Sequence, residues 1–202
     1  ASIVGLVVHW GLALSPFSDG VAADAARMYE LRQQHLTETA ILLTENKLGP
    51  INLHELHGEN IKPSLESTFP TSEIQENRGK KDGPLFKIHR VKYRKEDLLF
   101  ALMDPHDSLL VQEIWIKNPR IKDEYGLFVG ASMDTALLHR PDLTFHADPH
   151  HNIYASAKNS KIQYYLDGAF KRSNDSSLVA EDDAVEPWQI ADRSIKYLVW
   201  KK

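Results

Sequence analysis

From Pro84 onward the sequence advances in strand-length pieces, and that rhythm constrains the fold more than any other feature. The pieces are 86–93, 98–103, 109–116, 126–131, 143–146, 153–157, 161–166, 169–172 and 195–200. Each is rich in β-branched, aromatic or leucine side chains and is bounded by turn-forming residues. Within 161–166, Ile162, Tyr164 and Leu166 fall on one face, opposite Lys161, Gln163 and Tyr165. Asp167-Gly168 then reads as a hairpin turn leading into 169–172. In 109–116, apolar residues occupy both alternating sets, as in a strand covered on both faces. Asp104-Pro105, Asn118-Pro119 and Asp148-Pro149 add turn signals between strands. The pattern is that of a mainly antiparallel meander that curls into a barrel or sandwich.

The first third reads differently. Residues 3–14 form an apolar, β-branched run that predicts a buried strand, and 15–20 a loop. Over 22–44, Ala22, Ala26, Tyr29, Leu36, Ala40 and Leu43 recur at helical spacing, which predicts a long amphipathic helix. A second strand over 27–32 with a shorter helix is the alternative. Gly49-Pro50 ends the helix. Residues 58–83 hold Pro63, Pro70, Gly79 and paired lysines with few large apolar residues, and read as a flexible loop or linker. The expected fold is therefore α+β. An N-terminal strand–helix lobe (1–57) precedes the linker and a curved antiparallel sheet or barrel (84–202), the two lobes together forming one compact domain. No internal repeat is evident in the sequence.

A chain of 202 residues with 42% hydrophobic and 26% charged side chains can bury a proper core. Its net charge of −4 offers no basic footprint for nucleic acid, so no such partner is expected. The absence of cysteine excludes disulfides, thiol nucleophiles, zinc–thiolate sites and iron–sulfur clusters. The run 3–14 is too short to span a bilayer, so the chain is expected to be soluble and not inserted in a membrane. The compartment stays open, with the cytoplasm the leading expectation. The acidic stretch 173–186 reads as a solvated loop. Asn174-Asp175-Ser176 within it is a formal glycosylation sequon.

The densest chemistry lies in 138–154, which carries His139, His146, His150 and His151 beside Asp142 and Asp148. On an extended strand His146 and Asp148 share a face, so the aspartate could orient the imidazole as a general base tuned near neutrality. The leading expectation is a small-molecule site in the sheet's concavity with this pair as base and orienter. Trp115 and Tyr164 would line it, and no cofactor would be required. A divalent metal held by His139, His146, Asp148 and His150 is the alternative, and a binding protein without chemistry is a third.

Several short motifs resemble known families. His146-Ala-Asp148 is similar to the His-x-Asp pair of 2-oxoglutarate-dependent oxygenases and would imply iron. The family's third ligand lies downstream, where this chain has no histidine after His151. His9-Trp10-Gly11 resembles the His-Trp-Gly strand of α-L-fucosidases, whose (β/α)8 barrel needs a longer chain. The same apolar strand is similar to the first strand of NlpC/P60- and LRAT-type thiol hydrolases, and without cysteine it would imply a non-catalytic relative. Pro141-Asp142 with Lys158 resembles the Pro-Asp…Asp/Glu-x-Lys nuclease pattern, but Ser156 stands where its acid should be. His54 and His57 read as an exposed pair. Lys87, Arg90, Lys92, Arg94 and Lys95 read as a charge-guarded edge strand. Tyr164, Tyr165, Trp188, Tyr197 and Trp200 are candidates to line a cavity or to fill the core.

Overall fold

A computed structural model describes residues 41–80, 84–107, 109–170, 185 and 187–202, all within one compact unit spanning 40–202. Three short strands open it: β1 (Leu42–Leu43), β2 (Lys47–Leu48) and β3 (Ile51–Asn52). Helix α1 (Ile61–Thr68) leads to a meander of β4 (Glu73–Lys80), β5 (Leu85–Tyr93), β6 (Glu96–Met103) and β7 (Val111–Ile116). The second half begins with β8 (Lys122–Asp123) and helix α2 (Met133–His139). A second meander follows: β9 (Thr144–Ala147), β10 (Asn152–Ser156), β11 (Ile162–Ala169), the short helix α3 (Pro187–Ile190) and β12 (Ile195–Lys201). The first half thus runs three short strands, a short helix and four meander strands. The second runs one short strand, a short helix and four meander strands with α3 before the last, a similarity of order that the residues themselves do not display.

The two meanders join at β7 and β12, giving an eight-stranded antiparallel sheet in the order β4-β5-β6-β7-β12-β11-β10-β9. A four-stranded sheet, β3-β2-β1-β8, brings the beginnings of the two halves together through the parallel β1–β8 pair. The core face of the large sheet carries Val91, Leu99, Ala101, Ile114, Ile116, Ala155, Ile162, Tyr164, Leu198 and Trp200. Leu43, Leu48, Leu53, Ile61, Leu65, Leu127 and Ala136 complete the same core from the small sheet and the helices.

This architecture corrects the α+β expectation. Among the described residues the chain is mostly β, in two sheets, and its helices run to eight, seven and four residues. Among the described residues the large sheet is open, with β4 and β9 as its edges, and closes no barrel. The expected N-terminal strand (3–14) and most of the expected long helix (22–44) lie outside the described residues. The end of that helix, Leu42–Leu43, is a strand hydrogen-bonded to its neighbours. Among the described residues no helix is long and apolar enough to cross a membrane.

Residues 58–83 hold α1 and β4 where a loop was expected. Pro63 sits in the first helical turn, where a missing N–H costs nothing. The scarcity of apolar residues in β4 reflects its place at an edge, where charge blocks unwanted pairing. The basic strand β5, expected at an edge, is instead the next strand in, paired with both β4 and β6. Arg90 there forms a bidentate pair with Asp97, with Nη2 2.7 Å from Oδ2.

Asp167-Gly168 is not a hairpin turn, because β11 continues through it to Ala169. Gly168 takes φ +76° and lies so close to Arg193 that a Cβ would stand 2.7 Å from Nη1. Arg193 donates to the carbonyls of Asp167 (2.5 Å) and Ala169 (2.9 Å). The Asp167 carboxylate accepts from the Ser194 N–H at 2.8 Å and its hydroxyl at 3.2 Å. An Asp-Gly pair suited to left-handed backbone is here used for a kink within β11, held by the residues just before β12. The three Asx-Pro turns have the expected form: Asp104, Asn118 and Asp148 each accept the N–H two residues on, at 2.7, 2.9 and 2.9 Å.

His89 lies buried in the middle of β5, 4% exposed, with Nδ1 unbonded. Burial pushes its pKa below the ordinary value. Glu76 on β4 opposes that shift, and Lys87 on β5 and Lys62 on α1 reinforce it. The folded protein therefore binds this proton less readily than the unfolded chain. The stability tied to neutral His89 is complete above the unfolded value near 6.5 and is lost as pH falls below it toward the folded value. Urea titrations at pH 7.5 and 5.0 should show the wild type losing stability in acid and a His89→Leu variant losing distinctly less. Equal losses in the two proteins would contradict this role.

Candidate functional site

The segment 138–154 folds as the end of α2, an irregular link, β9, a tight turn and β10. Ser132 caps α2 by accepting the Thr135 N–H at 3.2 Å. His139, exposed in the last turn, bonds through Nδ1 to the Tyr125 carbonyl at 2.8 Å. His146 on β9 bonds through Nε2 to the Thr144 hydroxyl at 2.9 Å, and its ring stacks on Tyr154 at 5.2 Å. Asp148 organises the turn. Oδ1 accepts the N–H groups of His150 (2.9 Å) and Asn152 (2.8 Å), and Oδ2 accepts the Asn152 side-chain amide at 2.9 Å. His150 is exposed at the turn, and His151 adopts φ +63° there.

The four proposed metal ligands His139, His146, Asp148 and His150 are not drawn together. No group of three or more His, Asp or Glu side chains among the described residues could hold a metal ion. His139 is engaged with the loop after β8, and Asp148 with its own turn. The proposed base and orienter are likewise each bonded to a different local partner.

The proposed lining residues separate as well, because Trp115 and Tyr164 lie on opposite faces of the sheet. Trp115 belongs to a row of rings on the outer face: His146, Tyr154, Tyr165, Trp115 and Tyr197, one from each of β9, β10, β11, β7 and β12. Successive ring centroids lie 5.2, 5.3, 4.7 and 5.5 Å apart. His146, Tyr154 and Tyr165 are tilted only 24° and 20° from one another and so engage each other's faces. Trp115 breaks the pattern, at 46° to Tyr165 and 69° to Tyr197. Its indole N–H donates to Glu113 two residues back at 2.6 Å, which draws the ring along its own strand. Lys201 stands 3.8 Å from the other Glu113 oxygen and 3.4 Å from the Tyr165 hydroxyl. The Tyr165 hydroxyl is held well above its ordinary pKa, first by burial and then by the charges of Asp148 and Glu113.

Tyr164 faces the core, where it completes a polar network that sequence reasoning missed. Its hydroxyl donates to Asp123 Oδ2 at 2.6 Å and accepts from Arg140 Nη1 at 3.0 Å. Asp123, 1% exposed, also accepts the N–H groups of Leu127 (2.7 Å) and Tyr125 (3.0 Å) through Oδ1. Burial, the largest influence, pushes the Asp123 carboxyl up, against the downward pull of these bonds. The Arg140 guanidinium lies 3.8 Å from the centre of the Tyr125 ring and donates to the Ser160 hydroxyl at 3.3 Å. Ser160 in turn donates to Glu45 at 2.6 Å. The network ties β8 and the β1–β2 turn to β11, and the two sheets to each other. Asp123 three residues before Gly126 marks a turn, but nothing local marks Tyr164 as its partner 41 residues away.

Of the other candidate aromatics, Trp200 is buried in the core and Trp188 is exposed, so the five line no common cavity. His54 and His57 are exposed as expected, and His54 bonds to Asn46 at 2.8 Å. His9, Trp10 and most of the acidic stretch 173–186 lie outside the described residues.

No family model matches the chain, and no curated protein matches it. A solved structure does: that of the uncharacterized protein yfeY from Escherichia coli, with a TM-score of 0.55 at 12% identity, covering 79% of this chain and 99% of that one. At that identity the likeness is one of fold alone.

Proposed function

We propose that this chain is a small-molecule-binding protein whose ligand is a hydroxyl-bearing ring compound, a sugar or a sugar-like ring, seated on Trp115. One observation carries the reading: Glu113 draws the indole along its strand, placing an apolar ring beside the Glu113 carboxylate and the Lys201 ammonium. A sugar ring presents C–H groups on one side and hydroxyls around its rim. It therefore needs both an aromatic surface and charged hydrogen-bonding groups at the margin. The row from Tyr165 to His146 supports the platform sideways, since those rings are already engaged with one another. In this reading His146 and Asp148 shape the strand–turn–strand and transfer no proton.

Titrating the protein with soluble mono- and oligosaccharides should shift its tryptophan emission and raise its thermal midpoint. A Trp115→Ala variant should lose both responses, whereas His146→Ala should keep them. A panel that leaves the wild type unchanged at about 10 mM, far weaker than useful recognition, would refute the proposal.

A further inference from the structure

Strand β4 ends the large sheet, and among the described residues it pairs only with β5. All eight of its residues are matched to β5 without a register shift, from Glu73 opposite Lys92 to Lys80 opposite Leu85, leaving an outer edge of the same length. Alternate residues along such an edge point their N–H and C=O groups outward, a template for another strand. Glu73, Glu76, Asn77, Arg78 and Lys80 are all exposed.

The charges on this edge are ordered. The first half of the strand is acidic, with Glu73 and Glu76, and the second half is basic, with Arg78 and Lys80. Charges scattered only to block pairing would not need that polarity. An antiparallel copy of the strand reverses it, so acidic half meets basic half.

Register sharpens the match. In an antiparallel pair, residues directly opposite share a face of the sheet, so a two-fold axis must pass through a residue position. With the axis at Asn77, Glu76 lies opposite the second copy's Arg78, and Arg78 opposite the second copy's Glu76. The two Asn77 amides then meet on the axis. Sliding two residues one way sets Glu76 against its own copy, and sliding the other way sets Arg78 against its own copy. Like charges directly opposite are unfavourable, so one register is selected.

We propose that β4 is a homodimerisation edge: two copies of this chain pair their β4 strands antiparallel about Asn77, joining two eight-stranded sheets into one. The contact is a single strand pair with salt-sensitive ion pairs, so the dimer is weak and forms with rising concentration. It is independent of any ligand at Trp115.

Charge exchange tests it. At pH 8, where His89 is neutral, sedimentation equilibrium of the full chain at low salt should show monomer converting to dimer as concentration rises. Glu76→Lys sets two positive pairs across the axis and Arg78→Glu two negative ones. Each should raise the dimer dissociation constant about tenfold or more. Mixing the two variants pairs Lys with Glu and Arg with Glu, and should restore dimer as a heterodimer. The doubly exchanged E76K/R78E chain should dimerise with itself. That recovery separates lost pairing from lost folding. A wild type that stays monomeric up to about 1 mM, single variants that associate as the wild type does, or folded variants that fail to recover on mixing would each overturn the proposal.

Discussion

Replacing Asp123 by alanine is expected to destabilise the fold by about 3–5 kcal/mol, because it leaves several buried donors without an acceptor. Those donors are the Tyr164 hydroxyl and the N–H groups of Leu127 and Tyr125, all within 3.0 Å of the carboxylate. Arg140, 4% exposed, would in addition lose the Asp123 charge that it faces through Tyr164, keeping only Asp142, whose Oδ1 lies 3.7 Å from Nε. Tyr164→Phe removes a single hydroxyl and should cost less, about 1–3 kcal/mol. The two losses should not add, since each breaks the same 2.6 Å bond. Urea denaturation of the two single variants and the double variant reads all three quantities. A loss below about 1 kcal/mol for Asp123→Ala would mean that the network adds little to the joining of the sheets.

The second large effect is expected at Trp200, which is fully buried two residues before Lys202. Trp200→Ala should cost about 3–5 kcal/mol, from the cavity and the lost transfer energy together. Its indole N–H donates to the Glu45 carbonyl at 2.9 Å, and the Glu45 carboxylate accepts from Ser160 and from the Lys161 N–H, each at 2.6 Å. The ring therefore anchors the β1–β2 turn to the centre of the large sheet. Trp200→Phe keeps most of the apolar contact but leaves the Glu45 carbonyl without this donor, and should cost about 1–2 kcal/mol. Equal stability of the alanine and phenylalanine variants by urea denaturation would contradict the packing argument.

The proposed sugar site and the proposed edge-strand dimer place different demands on the same sheet. Trp115 lies on its outer face in an inner strand, whereas Glu76, Asn77 and Arg78 lie along the terminal strand. Loss of binding in Trp115→Ala should therefore leave association through β4 unaltered, and Glu76→Lys should leave the tryptophan response intact.

Local signals located most of the strands. The strand-length runs of β-branched, aromatic and leucine residues in β5, β6, β7, β10 and β12 are a property that each segment carries alone, and Asp104-Pro105, Asn118-Pro119 and Asp148-Pro149 form turns by bonding to their own neighbours. The same reasoning failed where a local pattern had two uses. Asp167-Gly168 suits a hairpin turn, yet Arg193 and Ser194, just before β12, hold it as a kink within β11. Likewise the scarcity of apolar residues over 73–80 fits a loop as well as it fits an edge strand, and only pairing with β5 distinguishes them.

The candidate site shows the same division more sharply. His-x-Asp spacing correctly marks a strand running into a turn, but it carries no information on which groups bond to Asp148. The sequence by itself located most of the strands and the three Asx-Pro turns, because those depend on periodicity and on hydrogen bonds a few residues long. But it placed a strand over 126–131, where only an isolated bridge at Phe128 forms, and none over 73–80. Only the tertiary structure decided that the last strand, β12, inserts between β7 and β11 at the centre of the sheet. It also decided that Trp115 and Tyr164 lie on opposite faces, and that Asp123, Arg140 and Tyr164 meet in the core. Those outcomes come from contacts between residues tens of positions apart, whose energies appear only when the sheets close on a shared core and leave no trace in any local stretch of the chain.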